Sequence, residues 1–487
     1  MKKYIISVAL FLALGTPLFS QTSYLSEIAV ENRKVEKTDA RMVRVGMDLN
    51  LDALDMKNQH VMAIDPYIVS ADGTQEQKLP SVVIEGKIRH KADIRREALE
   101  NIKLYPEAQA TVRRKNGSDQ TVSYEASVPF KRWMIGSELV LRADVSGCAQ
   151  CGEGSETAYT SDILPPMNPA YAMPFISPKE EIVKRRSETR AARLQFRQDS
   201  HNIRPNYKNN QEELDKVRES LNLVKENNDL SITGIYVTGY ASPEGTMDYN
   251  MRLSERRAKA FTEYVKKDME GIDPSLYHVD WKGEDWDELR RQVEAHPNLL
   301  RIEDVLDIID NCGEDRDVCE EKIKALVPPE IYQRVLNEMY GPIRRNEYRI
   351  EYNVRHFDLE EGKQMIKTRP DLMSVSEIQK VADSYGKGTP EYIDCLLCGA
   401  KAYPNDVTAV NNAALALMEA GRTEEAVSLL EKAPAEGALQ NMLGVAYMKL
   451  GKADKAREAF RTAVEKGNPD AVKNSKLMED YVEYMAE

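Results

Sequence analysis

The sequence predicts a multidomain α+β chain: an N-terminal β-sandwich, a central α/β sandwich with a helical insertion, and a C-terminal set of paired helices. Three patterns carry that prediction. Up to about residue 148, apolar and polar side chains alternate in short runs broken by turn residues. From about 180 to 355, strand-like and helix-like periods alternate. Nearer the C-terminus, Ala420–Ala426 is echoed by Leu450–Ala456 at an offset of 30 residues.

The N-terminus sets the expected compartment. Lys2 and Lys3 precede an apolar run, Tyr4–Leu14, which Thr16 and Pro17 end. Ser20–Gln21 offers a cut site, so residues 1–20 read as a secretory signal peptide. The run is too short to cross a bilayer, which takes about 20 apolar residues. No Cys follows the cut, which argues against a lipid-modified N-terminus. The chain is acidic, with 67 basic and 80 acidic residues and a net charge of −13. Loss of the two signal lysines makes it more acidic still. That balance excludes a nucleic-acid partner and a polybasic membrane patch. No later apolar stretch reads as a transmembrane span. The expected location is the periplasm or the outer-membrane surface.

The β-sandwich is expected over 21–160. Arg41–Leu51, Val82–Ile88 and Leu139–Val145 alternate, with turn clusters at Ala71–Thr74 and Lys115–Ser118 between them. Such spacing suits a sandwich. An outer-membrane barrel would need at least about eight longer strands with aromatic girdles, which this segment lacks. Residues 161–180 then read as an extended linker, because Pro165, Pro166, Pro169, Pro174 and Pro178 crowd into it.

The α/β domain is expected over 181–357. Its strand candidates are Leu194–Phe196, Ser231–Gly239, His278–Trp281 and Glu347–Val354. Its helix candidates are Asn210–Asn227 and Leu253–Lys267, and a charged helical insertion covers about 286–340. The order is β-α-β-α-β, insertion, β. Residues 372–487 are expected to be helical throughout.

Six cysteines fall in three close pairs: Cys148/Cys151, Cys312/Cys319 and Cys395/Cys398. In an oxidising compartment such pairs read as disulfides. A zinc site built from the two CxxC pairs and a redox pair are the alternatives. Cys395 and Cys398 lie on an expected helix, where a local disulfide is awkward and free thiols fit better. Enzyme signatures are missing: there is no Gly-x-Ser-x-Gly elbow, P-loop, dinucleotide fingerprint or His-Glu-x-x-His, and the six His are scattered. The chain is therefore expected to be non-enzymatic and to carry no cofactor.

Gly239-Tyr-Ala-Ser-Pro-Glu-Gly-Thr-Met-Asp-Tyr-Asn-Met-Arg-Leu-Ser-Glu-Arg-Arg-Ala258 resembles the signature of the OmpA-like, peptidoglycan-associated domain. In that family a Gly-rich turn follows a strand, and Leu-Ser-x-x-Arg-Ala opens a helix. The resemblance extends to Phe196, to Arg204-Pro-Asn-Tyr, and to a closing strand at Arg344-Arg-Asn-Glu-Tyr-Arg-Ile-Glu. It implies a clamp in which an acid in the turn and an Arg on the helix hold the amine and carboxylate of diaminopimelate. The matching positions are Ser242 and Arg257. The Arg is kept and could form the bidentate carboxylate pair that guanidinium favours. The acid is absent at Ser242, and Glu244 is the nearest substitute. Asn250 and Ser254 complete the candidate set. The alternative is that Asn250, Ser254 and Arg257 only brace the helix start.

Gly444, Tyr447, Ala456, Phe460 and Ala463 stand at spacings that resemble a tetratricopeptide repeat. The preceding unit keeps Ala414, Leu417, Ala426 and Leu430, and its shorter period implies a shortened second helix before Pro434. An earlier helix pair at about 374–403 would add a degenerate unit. The whole arrangement resembles a Bacteroidetes envelope architecture encoded with fimbrial components, on Leu79–Gly86, Val128–Met134 and Gly147–Gly152. The expected function is a periplasmic or outer-membrane-associated scaffold that tethers or assembles a fimbrial complex near peptidoglycan. Its expected partners are peptidoglycan and envelope or fimbrial proteins met by the β domain and the repeats. The alternatives are a fimbrial assembly factor without cell-wall contact and a CxxC-based zinc or redox protein.

Overall fold

A computed structural model describes residues 24–147, 152–196 and 200–487. The expected signal peptide, Cys148 and Cys151 lie outside the described residues. In chain order the elements are β1 (Ala29–Lys37), β2 (Met42–Asn50), β3 (Val61–Val69), β4 (Glu76–Lys78), β5 (Ser81–Glu85), α1 (Lys87–Glu100), β6 (Ala108–Arg113), β7 (Thr121–Pro129), β8 (Ser137–Ser146), β9 (Gly152–Ile163) and β10 (Lys184–Ala192). Then come α2 (Asn210–Lys225), β11 (Leu230–Ala241), α3 (Met247–Asp268), β12 (Tyr277–Glu284), α4 (Trp286–Glu294), α5 (Ile302–Asp310), α6 (Arg316–Lys324), α7 (Glu330–Arg334), α8 (Tyr340–Ile343) and β13 (Asn346–Val354). The rest is helical: α9 (Leu359–Thr368), α10 (Val375–Tyr385), α11 (Pro390–Ala402), α12 (Val407–Glu419), α13 (Thr423–Leu430), α14 (Gly437–Lys449), α15 (Ala453–Glu465) and α16 (Pro469–Met485). These elements form two compact units, 174–446 and the remainder.

In the unit that holds the N-terminal strands, a sheet ordered β1-β2-β7 faces a second one ordered β6-β5-β3-β8-β9, with β4 paired to β3. The alternation read from the sequence fills the space between them. Val43, Val45, Met47 and Leu49 of β2 point inward, as do Ile64 and Ile68 of β3 and Leu139 and Leu141 of β8. One element departs from the all-strand expectation. β5 and β6 pair in parallel, and a parallel pair needs a crossover rather than a hairpin. Helix α1 supplies it. Its apolar Ile88, Ile94 and Leu99 are exposed, so it has no inward stripe for a periodicity search to find. In the same unit α15 buries Ala456, Phe460 and Ala463. The end of α16 docks on the strands: Lys37 Nζ donates to the carbonyls of Glu483, Tyr484 and Ala486 at 2.8, 2.7 and 2.7 Å. A cation suits the negative end of a helix.

The other unit carries a four-stranded sheet ordered β10-β13-β11-β12. β11 runs parallel to β12 and antiparallel to β13. The order of strands and helices agrees with the expected β-α-β-α-β, insertion, β. The first strand does not coincide: it is Lys184–Ala192, and Leu194–Phe196 follows it without strand structure. β10 is an edge strand of mostly charged residues, so hydrophobic pattern could not mark it. Its pairing along β13 does. Helix α3 lies close on β11 because Gly239 has no side chain: a Cβ there would fall 2.5 Å from the Ser254 carbonyl. The insertion has its own core, with Leu289, Val293, Val305, Ile323, Val335 and Tyr340 all fully buried. Cys312 and Cys319 are joined there by a disulfide with Cα atoms 6.0 Å apart.

Helices α10 to α13 stack as antiparallel pairs on small residues. A Cβ at Gly399 would meet Ile378 at 3.0 Å, and Ala413, Ala414 and Ala426 are fully buried. α12 and α14 begin at Val407 and Gly437, the 30-residue offset of the sequence repeat. α13 ends at Leu430, before Pro434, and has 8 residues against 13 in α15. Lys184 from β10 is fully buried against the start of α10, with Nζ 2.9 Å from a Glu377 carboxylate oxygen. Phe357 lies 4.0 Å away beneath the ammonium.

Candidate functional site

The turn after β11 and the first turns of α3 bring the predicted residues together. Gly245 takes φ +107°, a conformation open to glycine. Thr246 caps α3, its side chain accepting from the Tyr249 amide at 3.3 Å. Asn250, almost fully buried, donates from Nδ2 to Glu284 Oε1 at 2.8 Å. Ser254 Oγ donates to the Met251 carbonyl at 2.8 Å and accepts from the Gly283 amide at 3.1 Å. These two residues therefore tie α3 to the end of β12. Burial raises the Glu284 carboxyl above its usual range, against the hydrogen bonds from Asn250 and Trp286.

Arg257 sits differently. Only 8% of it is exposed, and its guanidinium lies 4.6 Å from the centre of the Phe196 ring. Among the described residues its Nε has no hydrogen-bond partner and it forms no salt bridge. Burial, and next the charge of Arg344, push its pKa down to about 10. Ser242, also buried, accepts from Arg344 Nε at 3.0 Å. Glu244 is half-exposed and pairs with Arg344 Nη2. The acid nearest in sequence is thus engaged by a second arginine. A buried guanidinium with free hydrogen-bonding capacity is poised for a carboxylate, since a bidentate acceptor would offset its desolvation.

Arg344 is the residue that sequence reasoning did not single out. Its signal was present in the closing Arg344-Arg345 pair, which read only as a strand marker. Arg345 is 6% exposed, bridges Asp285 at 2.7 Å and Glu347 at 2.8 Å, and stacks 4.3 Å from the Tyr240 ring. It closes one side of a cleft of about 630 Å³ whose apolar walls are Met247, Met251 and Trp286.

The remaining cysteines are not drawn into this site. Cys395 is buried and Cys398 half-buried, both as free thiols on α11. Burial raises the Cys395 thiol to about 11, the opposite of what a thiolate nucleophile or zinc ligand needs. Among the described residues no group of three or more His, Cys, Asp or Glu side chains is placed to hold a metal. No described helix is long and apolar enough to cross a membrane.

Comparison with known proteins places three modules along the chain. Residues 195–293 match the OmpA family, 417–476 match a tetratricopeptide repeat, and 1–110 match a domain of unknown function, DUF3868. The first two kinds of module scaffold and connect rather than catalyse. One relative is Outer membrane protein 41 of Porphyromonas gingivalis, 38% identical over 89 residues. That stretch is 18% of this chain and 20% of the relative, so the likeness spans a fifth of the relative's length.

Proposed function

We propose that this chain is a non-enzymatic, outer-membrane-associated scaffold of the periplasm that tethers or assembles a surface complex, fimbrial in kind, close to peptidoglycan. The observation that carries the reading is Arg257. It stands at the sequence position that matches the family's carboxylate-binding arginine, is almost fully buried, and forms no salt bridge among the described residues. The terminal carboxylate of a stem-peptide amino acid would supply the missing charge. Ser242 adds a hydroxyl rather than an acid, so recognition of the ligand's amine would fall to the half-exposed Glu244. The expected selectivity is for the carboxylate first and the amine second. The likeness to an outer-membrane protein supports the location, and the repeat helices support a connecting role.

A sacculus pull-down of the mature protein beside Arg257→Ala tests this. Specific pelleting, lost in the variant, is expected. Absence of pelleting would leave the second reading, an assembly factor for surface subunits without cell-wall contact, and pelleting indifferent to Arg257 would remove Arg257 as the carboxylate site. The pairing of Glu244 with Arg344 favours that second reading, since it removes the nearest acid from the clamp.

A further inference from the structure

The proline-rich segment read as a linker is held by asparagine side chains. Within 174–446, Asn412 of α12 exchanges two hydrogen bonds with the backbone of Ile176. Its Oδ1 accepts from the Ile176 amide at 3.0 Å and its Nδ2 donates to the Ile176 carbonyl at 2.8 Å. Asn411 Nδ2 donates to the Pro174 carbonyl at 2.9 Å. Lys387 lies 5.4 Å from the Phe175 ring. The other unit repeats the device. Asn474 of α16 accepts from the Ala172 amide at 2.8 Å and donates to its carbonyl at 2.9 Å. Tyr171 stacks on Phe460 at 6.3 Å. Asn411, Asn412 and Asn474 are each at most 2% exposed. A buried carboxamide needs partners for both its oxygen and its nitrogen, and an extended peptide residue supplies both. Proline cannot donate, and both doubly bonded residues, Ala172 and Ile176, are non-proline.

We propose that, within 174–446, the repeat helices around α12 are a receptor for an extended strand, recognised through its backbone, and that the strand they hold is the chain's own residues 174–176. The segment is then a bound strap rather than a free linker, and an outside strand must displace it. An intramolecular ligand acts at an effective concentration of the order of millimolar, so micromolar peptide meets a filled site.

The probe is a synthetic peptide of residues 168–179, titrated into the full-length mature chain and into its Ile176→Pro variant, which deletes the amide that Asn412 accepts. The peptide is expected to bind the variant at least about tenfold more tightly than the wild type. N-methylation of the peptide at Ile176 should abolish that gain. Equal binding to both chains, or no binding to a variant with an unchanged thermal melt, would overturn the proposal. If Ile176→Pro fails to fold, hydrogen exchange decides. The Ile176 amide should exchange at least about tenfold faster in Asn412→Ala than in wild type, and equal rates would count against the strap.

Discussion

Lys184 and Arg257 are both cations taken out of water within the same compact unit, and they meet opposite surroundings. Lys184 finds the Glu377 carboxylate at 2.9 Å and the Phe357 ring at 4.0 Å. Glu377 is held in turn by the amides of Ser374 at 2.8 Å and Phe357 at 3.0 Å. Arg257 has a ring but forms no salt bridge among the described residues; Arg344 lies nearby, and the Glu244 carboxylate that also acts on it is itself paired with Arg344. Desolvation lowers the pKa of both side chains. Of the two, Lys184 alone is paired directly with an acid. The first region is a structural joint between β10 and the repeat helices. The second is a buried cation with no salt bridge among the described residues, which is what the proposed carboxylate site requires.

The largest effect should come from breaking the joint. Glu377→Ala leaves Lys184 buried and unpaired and also removes the capping box of α10. It should cost about 3–5 kcal/mol in a denaturant titration. Arg257→Met should do the reverse. With no salt-bridged acid left behind, stability should hold or rise by about 1–2 kcal/mol, while any sacculus binding is lost. A large destabilisation by Arg257→Met would make Arg257 a structural cation like Lys184. Ser242→Asp would sharpen the contrast by restoring an acid beside the two arginines. It should stabilise by about 1 kcal/mol, with the gain reduced in the Arg344→Met background of a double-mutant cycle.

The smallest effect is in the acid limb. Burial pushes the Glu377 carboxyl up, but the Ser374 and Phe357 amides and Lys184 outweigh it and hold its pKa below the ordinary 4.5. A depressed carboxyl stabilises the fold above its unfolded pKa, and that share is lost as pH falls through the folded value. Glu377→Gln should therefore flatten the loss of stability below about pH 4.5. An unchanged acid limb in the denaturant midpoint would show that Glu377 does not link stability to pH.

Much of this was legible from residue order. The Gly239–Ala258 stretch placed the strand-turn-helix and its serine, asparagine and arginine together. The repeat offset placed α12 and α14, and even the short α13 before Pro434. What escaped had no local pattern. Helix α1 has no buried apolar stripe, since its fold role is to cross between parallel strands. β10 is charged and becomes a strand only through β13. The Lys184–Glu377 pair joins residues 193 positions apart, and nothing in either neighbourhood marks it.

Composition, periodicity and short motifs suffice for the kinds of module, their order and the arginine at the candidate site, because each depends on neighbours a few residues away. Which buried charge is paired, which acid Arg344 draws away, and where the proline-rich segment binds depend on groups brought together from distant positions. Those choices belong to the tertiary structure, because desolvation and hydrogen bonding are set by what surrounds a side chain in space.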